Sequence, residues 1–146
     1  MVQLNPVTAE NLDEVLKLKV GKDQEGFVSS TAESLAQAYV YGDTAFPFAV
    51  CRDGETVGFI MMGYYETKGY YTLWKLLIDY QHQNKGYGRK ALELGIAFLK
   101  EAFQVSEIYT GVSPGNVKAK RLYHAAGFRD TGLTENNMEE MRLHIG

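Results

Sequence analysis

The sequence predicts an α/β fold, a mixed β-sheet with helices on its faces. Three observations carry this. Segments of strand and helix period follow one another in the order β-α-α-β-β-β-α-β-α-β. The stretch "YYTLWKLLI" (70–78) is mostly apolar, the pattern of a central strand covered on both faces. The stretch "GRKALELGIAFLKEAF" (88–103) sets Leu92, Ile96, Leu99 and Phe103 at helical spacing.

In chain order, "VQLNPV" reads as a short first strand. "NLDEVLKLKV" places Leu12, Val15, Leu16 and Lys19 on one helical face. "SSTAESLAQAYVYG" opens on a capping box, Ser30 with Glu33 three residues on, and continues with Leu35 and Tyr39 at i,i+4 until Gly42 ends it. "PFAVCRDGETVGFIMMGYY" is two strands around Asp53-Gly54, a hairpin signal. The central strand and the long helix follow. "EIYTGV" is then a strand, "NVKAKRLYHAAG" a helix and "MEEMRLHI" a last strand. No repeat or linker interrupts the 146 residues, so a single domain spanning 1–146 is expected.

Composition excludes several classes. Hydrophobic residues make up 45% and charged residues 23%, as in ordinary globular proteins. No apolar run is long enough to span a bilayer, so no membrane partner is expected. The N-terminus lacks a basic region followed by an apolar one, so no signal peptide is expected and a cytoplasmic location is the default. Cys51 is the sole cysteine, and His82, His124 and His144 show no metal spacing, so no disulfide or metal site is expected. A net charge of −3 without a basic stripe argues against nucleic acid. The charge is uneven: residues 1–70 hold ten acids and five bases, residues 75–129 four acids and nine bases. Such a split suits a protein that joins an anionic ligand to a cationic one.

The segment "LLIDYQHQNKGYGRKALELG" carries the strongest motif, a Gly86-x-Gly88 pair entering the long helix. A P-loop needs Lys then Ser or Thr after the last glycine, and Arg89-Lys90-Ala91 stands there instead. A dinucleotide fingerprint turn follows its strand at once, but here Asp79 to Lys85 intervene. Amides at a helix N-terminus form an anion cradle, and glycines let a pyrophosphate approach the backbone. "QNKGYG", Gln83 to Gly88, resembles the acyl-CoA pyrophosphate loop of the GNAT N-acetyltransferase superfamily. "SPGNVKAKRLYHAAGF" is similar to that superfamily's later segment, with Asn116, Ala119, Leu122-Tyr123 and Gly127-Phe128 in order.

The resemblance implies a mixed, mainly antiparallel sheet of six to seven strands, splayed at the acetyl-CoA site and flanked by about four helices. It implies acetyl-CoA as co-substrate, its arm held by the backbone of Leu76, Leu77 and Ile78 and by Asn116. Gln83, Asn84, Lys85, Gly86, Tyr87, Gly88 and Arg89 would cradle the pyrophosphate. Tyr123 would protonate the leaving sulfur, a task suited to a phenol that is protonated at neutral pH. The general base stays open. Relatives carry a glutamate near Gly111 or an acid on the strand ahead of the loop, and neither place holds a carboxylate here. A water chain or Glu25, Glu33 or Glu66 are the candidates. Homodimers are common in the superfamily, and a homodimer is an expectation of the resemblance alone.

The acceptor is expected on the N-terminal half, which is acidic and aromatic: Glu25, Phe27, Glu33, Tyr39, Tyr41, Asp43, Phe46, Phe48, Tyr64, Tyr65, Glu66, Tyr70 and Tyr71. Carboxylates attract ammonium groups, and aromatic faces hold cations and methylene chains. "VGKDQEGFVSST" and "VGFIMMGYY" resemble bacterial spermine/spermidine acetyltransferases, which makes a small polycationic amine the expected acceptor. Trp74 departs from them, standing where they often carry an acid. A protein N-terminus or ribosomal protein as acceptor, and a non-catalytic acetyl-CoA-binding regulator, are the alternatives.

Overall fold

The structure, a computed structural model, describes residues 1–22, 24–26 and 30–145. Strands β1 (Val2–Pro6), β2 (Ala45–Arg52), β3 (Glu55–Tyr65), β4 (Tyr70–Ile78), β5 (Glu107–Val112), β6 (Arg129–Glu135) and β7 (Met138–His144) form one sheet in the order β1-β2-β3-β4-β5-β7-β6. Helices are α1 (Leu12–Leu16), α2 (Thr31–Val40), α3 (Tyr87–Phe103) and α4 (Val117–Ala126), with a 3₁₀ turn at Tyr80–His82. Every neighbouring strand pair is antiparallel except β4 with β5. The expected sheet class, strand number and helix number are therefore met.

The sheet is covered on both faces, which is why β3 reads as an apolar run. Ile60 and Met62 join the core under α3 and α4, with Leu92, Leu99 and Ile108. Phe59 and Met61 turn the other way, to Val15, Leu18 and Ala49 under α1 and α2. Helix α3 lies close on the sheet because Gly95 has no side chain. A Cβ there would sit 2.9 Å from Met62 Sδ and 3.0 Å from Ile60 Cδ1. The β2–β3 turn is the expected Asp53-Gly54 pair, both at positive φ (50° and 88°). Ser30 caps α2 as read, its hydroxyl accepting from Glu33 N at 3.1 Å.

Three local expectations are corrected. Helix α1 is one short turn, so its inward face is Val15, with Leu18 just beyond, while Leu12 and Leu16 are exposed. Tyr39 is 88% exposed, and α2 buries Thr31 and Ser34 instead. The chain-order reading gives six strands, and the one that it lacks is β6: "RDTGLTE" is nearly all exposed at the sheet edge, so no alternation marks it. It pairs with β7 through a hairpin whose turn is Asn136-Asn137, at φ 53° and 60°.

Candidate functional site

Strands β4 and β5 pair over only two positions, Thr72 with Tyr109 and Leu73 with Thr110. Beyond Leu73 the register with β3 shifts, Met61 facing Lys75 and Met62 facing Leu73, so Trp74 is the extra residue of a β-bulge. A bulge bends its strand and leaves the extra residue out of the ladder. The stretch of β4 that follows runs free of β5, and a cleft of about 340 Å³ opens between them. Its wall includes Leu76, Leu77, Ile78, Gln83, Asn84, Gly86, Tyr87, Gly88, Arg89, Asn116 and Tyr123, eleven of the twelve residues singled out in the sequence. The twelfth, Lys85, is exposed on the loop and is not part of this wall.

The loop from β4 to α3 is held from three directions. Asp79 Oδ1 accepts from Lys19 N at 2.9 Å, and its Oδ2 accepts from Gln81 N at 3.2 Å. Gln83 Nε2 donates to Ile78 O at 2.9 Å, and Lys118 Nζ donates to Gln83 Oε1 at 2.8 Å. The Gln83 side chain thus braces the loop. Lys118, from α4, brings to it a charge that the linear motif did not reveal. Asn84 (φ 62°) and Gly86 (φ 84°) are left-handed, and Gly86 is the N-cap of α3. Among the described residues, nothing beyond its own chain neighbours lies within 4 Å of where a Cβ on Gly86 would point. The first turn of α3 carries no acid, and Arg89 and Lys90 stand beside it, Arg89 also pairing with Glu93 at 3.4 Å. Helix dipole and side chains together make this end of the cleft electropositive.

Helix α4 supplies the opposite wall. Asn116 is buried as its N-cap, with Oδ1 accepting from Ala119 N at 3.3 Å. What this side chain can offer a ligand is therefore its amide N–H groups. Tyr123, two turns on, is buried against Phe128 at a ring separation of 5.8 Å. Burial pushes its phenol up to about 12, so it stays protonated and has a proton to donate at neutral pH.

A second cavity, of about 630 Å³, shares Trp74, Lys75, Thr110, Gly111 and Met138 with the first. The two spaces meet at the bulge. Tyr41, Tyr64, Tyr65 and Tyr70 supply its aromatic wall, and Glu66, Glu135 and Glu140 its carboxylates. Burial lowers the pKa of Lys75 from the ordinary lysine value, and the carboxylate of Glu33 opposes part of that shift. Of the candidate bases, Glu66 lines this cavity, whereas Glu25 and Glu33 line neither. Phe46 packs on Phe98 and Phe103, Phe48 on Phe98, and Tyr71 on Phe103, so these expected acceptor aromatics are structural. Phe27 lies outside the described residues. Glu135, Glu140 and Lys68 were not anticipated. They come with the β6–β7 hairpin and the β3–β4 turn, and the Asn-Asn pair between polar strands was the available signal for the hairpin. Among the described residues no cluster of His, Cys, Asp or Glu is placed to hold a metal ion. Among the same residues no helix is long and apolar enough to cross a membrane.

Comparison with known proteins agrees with this arrangement. The model of the acetyltransferase (GNAT) family matches residues 12–128. A spermine/spermidine N(1)-acetyltransferase of Bacillus subtilis is 29% identical, covering 97% of each chain. The N-acetyltransferase YbbJ of the same organism is 32% identical over 90% of this chain and 87% of its own. Among solved structures, a Vibrio cholerae spermidine N-acetyltransferase in complex with CoA and spermine superposes with a TM-score of 0.78 at 17% identity, covering 98% of this chain and 95% of that one. The aminoglycoside acetyltransferase AAC(6')-Ib in complex with coenzyme A superposes at 0.80 with 20% identity, covering 99% and 95%. With its family model spanning most of the chain and its sheet splayed beside a glycine loop, the protein belongs to the GNAT family of N-acetyltransferases.

Proposed function

We propose that this N-acetyltransferase moves the acetyl group of acetyl-CoA to a primary amine of a small polycation, spermidine or spermine, with both substrates bound together. The observation that carries the reading is the meeting of two unlike cavities at one bulge. One is electropositive at its loop end. The other is aromatic and holds three carboxylates against the lysines Lys68 and Lys75. The relatives' names, a spermine/spermidine acetyltransferase and a spermidine acetyltransferase with spermine, support the same acceptor.

The residues present fit acetyl-CoA. Past Leu73 the backbone of Leu76, Leu77 and Ile78 borders the cleft without a β5 partner, so an extended arm can pair there as a strand would. The loop amides up to Gly88, with Lys118, Arg89 and Lys90 nearby, suit a pyrophosphate. When bound, acetyl-CoA supplies a carbonyl carbon activated by its thioester. The chain's own residues do the rest. Holding both partners at the bulge makes the encounter local. The backbone around the bulge offers an N–H to the carbonyl oxygen, and Asn116 orients the arm through its amide N–H groups. Tyr123 donates its proton to the departing sulfur. The attacking amine must first lose a proton, since an alkylammonium titrates at about 10.4. Glu66, Glu135 and Glu140 are the carboxylates that border the acceptor cavity and can receive that proton through water.

The test is acetyl-CoA consumption against polyamines, aminoglycosides and peptides. The expected result is turnover with spermidine or spermine above every other class. A clear preference for an aminoglycoside or a peptide overturns the acceptor. Binding of acetyl-CoA without turnover of any amine overturns the enzyme reading.

A further inference from the structure

Gly111 stands at the junction of the two cavities, where a side chain would face the acceptor. Its cross-strand partner on β7 is Glu140. Paired residues share a face, and neighbouring strands lie about 4.8 Å apart, so the Glu140 carboxylate arises one strand away from the junction. It is oriented there. Glu140 Oε1 accepts from Thr131 Oγ1 at 2.9 Å and Oε2 from Tyr70 OH at 3.4 Å, and its side chain is only 15% exposed. The Tyr70 ring is fixed in turn by stacking on Tyr109 at 4.0 Å.

An alkylammonium already sits at this carboxylate. Lys68, on the turn between β3 and β4, reaches back so that Nζ hydrogen-bonds Glu135 Oε2 and lies 3.9 Å from Glu140 Oε2. One ammonium faces two carboxylates here, and over the whole cavity the three carboxylates of Glu66, Glu135 and Glu140 outnumber the two lysines, Lys68 and Lys75. Lysine is itself a primary amine on a methylene stem, flexible enough to leave and return. Its seating shows what chemistry the place accepts.

We propose that Glu140, with Glu135, is the acceptor's selectivity determinant: the pair holds the non-reacting ammonium of a di- or polyamine in the seat that Lys68 now fills, so Lys68 competes with the substrate. This rests on the polyamine reading above. The spacing follows: an ammonium held at Glu140, terminal in a diamine or internal in a polyamine, leaves a primary amine one short methylene spacer away, toward Gly111 and the bulge. A monoamine gains nothing from the seat.

The test compares kcat/KM for spermidine with that for n-butylamine in the parent and in Glu140→Gln, Glu135→Gln and Lys68→Met. Losing a charge-assisted contact should lower the spermidine-to-butylamine ratio about tenfold in Glu140→Gln, and in the same direction in Glu135→Gln. Lys68→Met should raise that ratio, because the competitor is gone, chiefly through a lower KM for spermidine. Should Glu140→Gln fail to fold, the other two variants carry the comparison. A ratio unmoved in all the folded variants overturns the seat. So does a ratio that falls in Lys68→Met as it does in the glutamine variants, for then the lysine is only a structural partner. Absence of polyamine turnover in the parent instead overturns the acceptor reading itself.

Discussion

Substitution of the two loop glycines separates their roles, and the structure makes opposite predictions for them. Gly88 is the second residue of α3, and its φ is not positive. A Cβ there would meet Ile78 Cγ1 at 3.5 Å and Leu122 Cδ2 at 3.7 Å, ordinary contacts with two residues of the cleft wall. Gly88→Ala is therefore compatible with the fold and should gain about 0.5–1 kcal/mol from helix propensity. Gly88→Val adds methyl groups on the cleft side of the same helix turn. If it displaces about two charge-assisted amide contacts to a pyrophosphate, the loss is about 3–6 kcal/mol, a hundredfold or more in Kd. Gly86 behaves differently. Its φ of 84° is unfavourable for any side chain, at about 1–2 kcal/mol, even though the space around it is open. Gly86→Ala should lower Tm by about 2–8 °C and loosen the cradle as a consequence. Calorimetric titration with acetyl-CoA, beside a thermal melt of each variant, reads both effects. A Gly88→Val protein that melts like the parent and binds acetyl-CoA like the parent would refute the placement of the pyrophosphate.

Tyr123→Phe keeps the ring and removes the proton. Its kcat should fall about 10²–10⁴-fold with acetyl-CoA affinity nearly unchanged, and an unaltered single-turnover rate would assign the proton to another donor. Tyr123 and Tyr70 both hold their protons up to about pH 12 in the folded chain, against about 10 when unfolded. The folded state thus binds more protons between these values, so their contribution to stability is intact below pH 10 and is lost as pH rises through 12. A melting-temperature series should show that decline, and it should be shallower in Tyr123→Phe. Gly58→Ala should destabilise strongly, because its Cβ would lie 2.5 Å from the Leu77 carbonyl oxygen and force β3 from β4. About 1–3 kcal/mol is expected from denaturant unfolding, and a wild-type midpoint would contradict the strand spacing. The kcat/KM for spermine should fall with ionic strength more steeply than that for n-butylamine, since exposed charges are screened over about 8 Å at physiological salt. Equal slopes would remove electrostatic steering as the reason for the split charge.

The readable parts of this chain were those where one local pattern decides one element. The central strand was legible in full, "YYTLWKLLI" matching β4 from Tyr70 to Ile78, because both its faces are covered. The Asp53-Gly54 turn and the Ser30 cap were legible because their chemistry is contained in two to four residues. The glycine loop was legible as a motif, and eleven of the twelve candidate site residues line one cleft. What escaped depends on neighbours distant in sequence. Strand β6 has no buried face to impose a period. Phe46 and Phe48 looked like acceptor aromatics, but pairing within β2 turns them to Phe98 on α3. The Gln83–Lys118 bond joins residues 35 apart, and Glu140 meets Gly111 only through the β5–β7 register.

That last pairing bears on the carboxylate that the linear motif lacks. At Gly111 a glutamate would have to rise from β5 directly at the junction of the cavities. Met138 now covers that place, its Cβ 3.3 Å from where a Cβ of Gly111 would be. A side chain larger than hydrogen on β5 would therefore have to push into the β7 side chain. Glycine at 111 and methionine at 138 are one packing solution, and it moves the nearest carboxylate two residues along β7, to Glu140. A carboxylate is thus kept within the cavity but displaced from the bulge by about a strand spacing. In that position it is better placed to hold a second ammonium than to touch the reacting one directly. The proposed seat for a second ammonium and the want of a glutamate at position 111 then have a common structural cause.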